Sequence, residues 1–259
     1  MTINNSILNN SKLKFHPNQK FCIFSANDFL NKDFYNNVDK TFPKFTEFFE
    51  KQKKLGKKQF IVQEEYEIFQ NFLENSVTHK KLYDFLHSKY FFNLIKNKLY
   101  AKFFLSQSNL LRKIRYFRPY KLISKNDKKS IFDIFFSKVR INIIYMYMID
   151  QAYLGPHSDS QRKLCSLMIY FPEKNNLEDR EVGTQFWDSK IRNSSNIRID
   201  EKNLSIFLSK SKKILKEPFE KNKLVGFIRN DYSWHSVEKV NLPDNYLRKM
   251  IIINFLYEN

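Results

Sequence analysis

Leu154-Gly155-Pro156-His157-Ser158-Asp159-Ser160 lies between two apolar runs, Arg140–Asp150 and Leu164–Phe171. Apolar runs of this length read as strands covered on both faces. In extended backbone, residues two apart project to the same side, so His157 and Asp159 share one face. Outward from this stretch, further short extended segments are separated by turn residues. They are Ala152–His157, Thr184–Trp187, Lys223–Arg229, Trp234–Val240 and Leu247–Tyr257. Several short strands at such spacing predict a jelly-roll or a related β-barrel.

Upstream of residue 140 the apolar spacing is mostly helical. Tyr66, Phe69 and Leu73 follow one helical face, as do Leu82, Phe85 and Leu86. Asn27 and Asp28 precede an apolar-periodic stretch and predict a helix start there. The first fifteen or so residues, rich in Asn and Ser, are expected to be poorly ordered. The expected class is α+β. A mainly helical N-terminal region, 1–139, packs on the larger sheet of a β-rich core, 140–259, within one globular unit. Between Asp188 and Phe219 lies a polar stretch read as an insertion or lid near the barrel mouth, with Leu204–Leu215 as a short helix.

Composition excludes several classes. The chain of 259 residues holds 4 glycines and no GxGxxG or GKS/T run, which argues against a glycine-rich phosphate loop. The longest apolar runs are too short to span a bilayer, so no membrane association is expected. Met-Thr-Ile-Asn-Asn-Ser at the start lacks the features of a signal peptide. Cys22 and Cys165 do not make a disulfide framework, and a reducing cytoplasm is the expected compartment. The net charge of +18 is concentrated upstream: from Gln151 onward, 18 basic residues face 14 acidic ones. The excess is assigned to the Lys/Asn/Ile/Phe-rich composition in preference to a nucleic-acid surface.

Five histidines are present: His16, His79, His87, His157 and His235. The first three lie upstream with no metal-spaced partner, and His79 and His87 read as partly exposed helical residues. His157 and His235 each fall in a strand-like segment. Asp159 and His235 are separated by enough chain for intervening strands to bring them together. Two histidines and a carboxylate cover one face of an octahedral metal and leave the other open, a set suited to non-haem Fe(II). Arg248 heads the last apolar strand; if it points inward it needs a partner, and a guanidinium suits a bidentate grip on a carboxylate. Trp234 reads as core packing.

Gly155-Pro156-His157-Ser158-Asp159, Leu164 through Pro172, Gly183-Thr184-Gln185-Phe186, Trp234-His235-Ser236-Val237 and Arg248 through Phe255 together resemble the 2-oxoglutarate- and Fe(II)-dependent dioxygenase superfamily. The resemblance spans about residues 140–257. It implies a double-stranded β-helix (jelly-roll) with Fe(II) held by His157, Asp159 and His235, and Arg248 on the distal carboxylate of 2-oxoglutarate. It also implies O2 as co-reactant, with 2-oxoglutarate decarboxylated to succinate and CO2 as a small metabolite or peptidyl side chain is hydroxylated. Many relatives place Ser or Thr two residues after the arginine; here that position is Met250. Tyr147 is the candidate for the missing carboxylate contact.

Two other functions remain open from sequence. Oxidative demethylation of nucleic acid draws on the basic and aromatic run Leu111–Tyr120, since such residues grip phosphates and stack on bases. A catalytically inert jelly-roll binding protein is the other, and the intact His157, Asp159, His235 and Arg248 speak against it. The primary substrate and the oligomeric state are not encoded in any motif.

Overall fold

Three long strands form the centre of the molecule: β5 (Ser137–Met148), β7 (Lys163–Phe171) and β12 (Arg248–Glu258). β12 pairs antiparallel with both of the others. Their alternation sets two separate cores. Tyr145, Tyr147, Leu167, Ile169, Ile251 and Ile253 face one way, into a cluster shared with helices. Met146, Met148, Met168, Tyr170 and Met250 face the other way, toward a second sheet. Both faces are covered, which is why these segments are nearly uninterrupted apolar runs. The computed structural model describes residues 7–9, 12–16, 20–105, 119–124, 135–173, 182–193, 197–239 and 246–258, with the side chains of 100 and 103–105 set aside.

Among the described residues the larger sheet has 8 strands. Its order is β1 (Lys14–His16), β2 (Ile23–Ala26), β10 (Leu224–Ile228), β7, β12, β5 and β3 (Gln59–Gln63), with β4 (Tyr120–Leu122) parallel to the start of β5. The smaller sheet has 4, in the order β6 (Leu154–His157), β11 (Trp234–Val237), β8 (Thr184–Ser189) and β9 (Ser211–Glu217). Each of the seven segments read as strands from sequence overlaps one of these elements.

Helices α1 (Lys32–Lys40), α2 (Thr46–Lys54), α3 (Glu67–Glu74), α4 (Val77–Leu86) and α5 (Lys89–Leu105) precede β5; α1 to α4 bury their apolar stripes in the outer cluster. Truncating a central member such as Phe69 to Ala costs about 3–5 kcal/mol. α1 starts later than Asn27 and Asp28 suggested. Asn31 is its cap, with Oδ1 accepting from the Asp33 and Phe34 amides, while Asp28 has φ 49. His79 is fully buried rather than partly exposed, its ring between the Tyr145 hydroxyl (2.7 Å) and the Val38 carbonyl (3.1 Å).

Residues before 140 contribute strands as well as helices. β1 to β4 are three to five residues long, too short for their alternation to stand out. Ile7 is buried and Leu8 bridges Leu30, so part of the segment expected to be poorly ordered is built into the core. The expected helix Leu204–Leu215 is split: α6 (Leu204–Ser209) ends and the chain enters β9. In β9 only Glu217 is buried, as befits the outer strand of the smaller sheet. No helix among the described residues is long and apolar enough to cross a membrane.

Candidate metal centre

β6 and β11 are antiparallel neighbours, and His157 lies opposite His235 across their ladder. The two imidazole centroids are 4.1 Å apart. Asp159 follows β6 by two residues, and one ligand atom from each of the three side chains falls within 4.8 Å of the others. The fold thus brings together the two histidines and the carboxylate singled out from sequence. Their ring orientations are set locally: His157 Nδ1 is 2.9 Å from Gly155 O and His235 Nδ1 is 3.1 Å from Ser233 O. A carbonyl can only accept, so each Nδ1 carries its proton and each Nε2 keeps a free lone pair.

The charge states suit a cation. Burial, then the neighbouring His235, pushes the His157 imidazole down to about 3. Burial likewise lowers His235. Burial alone would raise the Asp159 carboxyl, but the Lys163 ammonium and the two histidines outweigh it and hold it below the usual carboxylate range. Lys163 Nζ is 2.8 Å from Asp159 Oδ1, and Ser166 Oγ donates to Oδ2 at 2.9 Å. Two neutral imidazoles and one anionic carboxylate therefore converge, which fits a divalent first-row metal of the Fe(II) type.

These side chains open into a cavity of about 240 Å³ that also contains Arg248, Thr184 and Arg198. Arg248 is 1% exposed. Its Nε donates to Val182 O at 2.6 Å, and its guanidinium carbon lies 4.5 Å from the centroid of Phe219. Nη1 reaches only the sulfurs of Met148 (3.4 Å) and Met250 (3.7 Å), which are weak acceptors. Nη2 is buried with no hydrogen-bond partner among the described residues. A buried cationic donor left open in this way costs free energy unless a ligand satisfies it.

Tyr147 does not join the site. Strand alternation turns it into the helix-side cluster, where its hydroxyl donates to Pro43 O at 2.8 Å and its ring packs 4.5 Å from Phe49. Thr184 is a hydroxyl group that does share the cavity with Arg248. Its hydroxyl accepts from Tyr170 at 2.7 Å and its own proton has only Met168 Sδ, 3.7 Å away. Trp234 packs against Phe207 and donates to Ile191 O at 2.8 Å, in keeping with a packing role.

No protein-family model and no curated protein sequence matches the chain. Solved structures overlap it in part. A prolyl-4-hydroxylase of Pseudomonas putida is 14% identical over 45% of this chain and 48% of its own, with a TM-score of 0.29. The Fe(II)/α-ketoglutarate-dependent dioxygenase TqaL is 12% identical over 45% and 41%, with a TM-score of 0.31. Procruciferin, an 11S globulin of Brassica napus, is 6% identical over 44% and 20%, with a TM-score of 0.23. The chain thus spans less than half the length of each.

Sequence reasoning missed the framework behind the ligands. Arg229, 1% exposed, donates from Nε to Asp159 O at 3.0 Å, from Nη1 to Asp231 Oδ1 at 2.9 Å and from Nη2 to Asn193 O at 3.3 Å. It thereby ties the Asp159 bend to the segment after β8. The visible signal was Arg229-Asn230-Asp231 directly after an apolar strand, a charged pair with no obvious solvent face. The basic run 111–118 lies outside the described residues.

Proposed function

We propose that this chain is an Fe(II)- and 2-oxoglutarate-dependent dioxygenase that hydroxylates a C–H bond of a small metabolite or a peptidyl side chain. The observation that carries the reading is the buried, unpartnered Nη2 of Arg248 in the same cavity as His157, Asp159 and His235. A carboxylate is the natural partner for that fork. In this reading the two sheets form a double-stranded β-helix, 140–259, and residues 1–139 belong to the same unit. The free thiols Cys22 and Cys165 fit a reducing compartment, the cytoplasm.

His157 and His235 offer Nε2 lone pairs and Asp159 one carboxylate oxygen to the metal. Arg248 grips the distal carboxylate of 2-oxoglutarate, and Thr184, oriented by Tyr170, donates its remaining proton to the same group. That hydroxyl takes the part that Met250 cannot. Met146, Met168, Phe227, Val237 and Ile252 wall the cavity and keep water from the reacting atoms. When bound, Fe(II) and 2-oxoglutarate supply reductive O2 cleavage, sending one oxygen atom into succinate, with CO2 released, and the other into the substrate C–H bond.

Anaerobic Fe(II) and 2-oxoglutarate give the purified chain a weak visible charge-transfer band in this reading. Arg248→Gln lowers the affinity with which 2-oxoglutarate elicits it. A wild-type protein without the band, or succinate production that survives Asp159→Ala, overturns the assignment.

A further inference from the structure

Three residues stand side by side across the inner face of the smaller sheet. They are His235 on β11, His157 on β6 and Arg198, which meets His157 across an isolated antiparallel bridge. Paired residues in a ladder turn their side chains to the same face, roughly 5 Å apart. Arg198 thus extends the row of metal ligands by one position and lines the same cavity. It is exposed, and no hydrogen bond or ion pair engages its guanidinium among the described residues.

Its backbone, by contrast, is fixed on both sides. Ile199 N donates to Pro156 O at 2.8 Å. Ile197 N donates to Asn193 Oδ1 at 3.3 Å, and Asn193 Nδ2 returns a bond to Ile197 O at 2.9 Å. The segment approaches so closely that a Cβ on Gly155 would lie 2.3 Å from Ile199 O. A cation with an anchored stem and a free head is pre-organised for a ligand.

The charges around the cavity ask for an anion. Among the described residues of its lining, Asp159 is the one carboxylate, against Lys163, Arg198 and Arg248. Lys163 is paired with Asp159. A divalent metal and a dianionic cosubstrate cancel, so the loaded cavity keeps a positive surplus, and Arg198 is its solvent-facing end. Ile61, half-open at 37% exposure, offers apolar wall to the same cavity.

We propose that Arg198 is the subsite for an anionic group of the primary substrate, a carboxylate or a phosphate monoester, and holds it beside the His157/Asp159/His235 centre. The proposal rests on the oxygenase reading and names the class of molecule that reading leaves open.

The test is calorimetric binding to the Zn(II)-loaded, 2-oxoglutarate-saturated chain, which does not turn over, and to the metal-free chain. The probes are two matched pairs, N-acetyl-leucine against N-acetyl-leucinamide and butyl phosphate against butanol. At least one acid binds roughly tenfold or more tightly than its neutral partner. Arg198→Gln removes that preference while its melting temperature stays at the wild-type value, Arg198→Lys keeps part of it, and the exposed control Lys202→Gln keeps all of it. A response confined to one pair assigns the carboxylate or the phosphate. Equal binding of acid and neutral forms, or a preference that survives Arg198→Gln, overturns the proposal. Failure of 2-oxoglutarate to bind the wild type overturns the oxygenase reading instead, and the acid comparison on the metal-free chain still decides the Arg198 site.

Discussion

Ser166 Oγ lies 2.9 Å from Asp159 Oδ2 and 2.9 Å from Asn254 Oδ1, all three side chains being buried. A hydroxyl has one proton to give, and the ionised carboxylate is the stronger acceptor. Asn254, with its amide turned, then supplies an N–H to the hydroxyl. The pair fixes the carboxylate orientation from behind the metal position. Ser166→Ala is expected to weaken metal binding by about 10–100-fold with little loss of fold, measured by competition with a chromogenic chelator.

Arg229 and Asp231 form an ion pair in which both side chains are 1% exposed. Removing Arg229 takes from the buried Asp231 its buried partner and leaves it the exposed Arg192 at 3.0 Å, whereas removing both charges leaves neither in the core. Arg229→Met should destabilise the chain by about 3 kcal/mol in urea unfolding. Arg229→Met with Asp231→Leu should recover most of that stability, and metal affinity should remain weakened because Asp159 O loses its donor.

Thr184 and Tyr147 give opposite expectations. Thr184→Val should weaken 2-oxoglutarate about tenfold by removing one hydrogen bond to a charged group. Tyr147→Phe should leave that affinity unchanged and cost about 1 kcal/mol of stability, through the bond to Pro43 O. Titration of the visible band in each variant checks both.

His79 should make stability depend on pH. Burial lowers its imidazole from 6.5 to about 4, so between those values the unfolded chain binds the proton and the folded one does not. The stabilisation is complete above pH 6.5 and is lost as pH falls to about 4, by on the order of 3 kcal/mol. His157 and His235 act in the same direction in the metal-free protein. The His79 share is the difference between wild type and His79→Gln in urea melts from pH 4 to pH 7.

The sequence made legible what two-sided burial writes plainly. β5, β7 and β12 are covered on both faces and so appear as apolar runs, and the one-residue spacing of His157 and Asp159 survives folding unchanged. β9 was hidden because Ser211 to Glu217 is mostly polar and partly exposed, so the lone apolar pair Ile214 and Leu215 continued the helical pattern of Leu204 to Leu208. Tyr147 was misassigned by strand phase. It stands beside Met146 and Met148, which face the cavity side, and alternation turns it to the other face. Arg229 was only half legible for another reason: beyond the neighbouring Asp231, its partners Asp159 and Asn193 come from segments that only the tertiary fold joins.

Gly155 lets the strand that carries His157 and the segment that carries Arg198 share one ladder. A change of side chain at 198 leaves the Ile197 and Ile199 backbone bonds in place, and the metal ligands with them. On the proposed reading, the part that performs chemistry and the part that selects its target stand a single peptide width apart. New target preferences would then be reached by exchanging one exposed residue, with the His157, Asp159 and His235 cluster left intact.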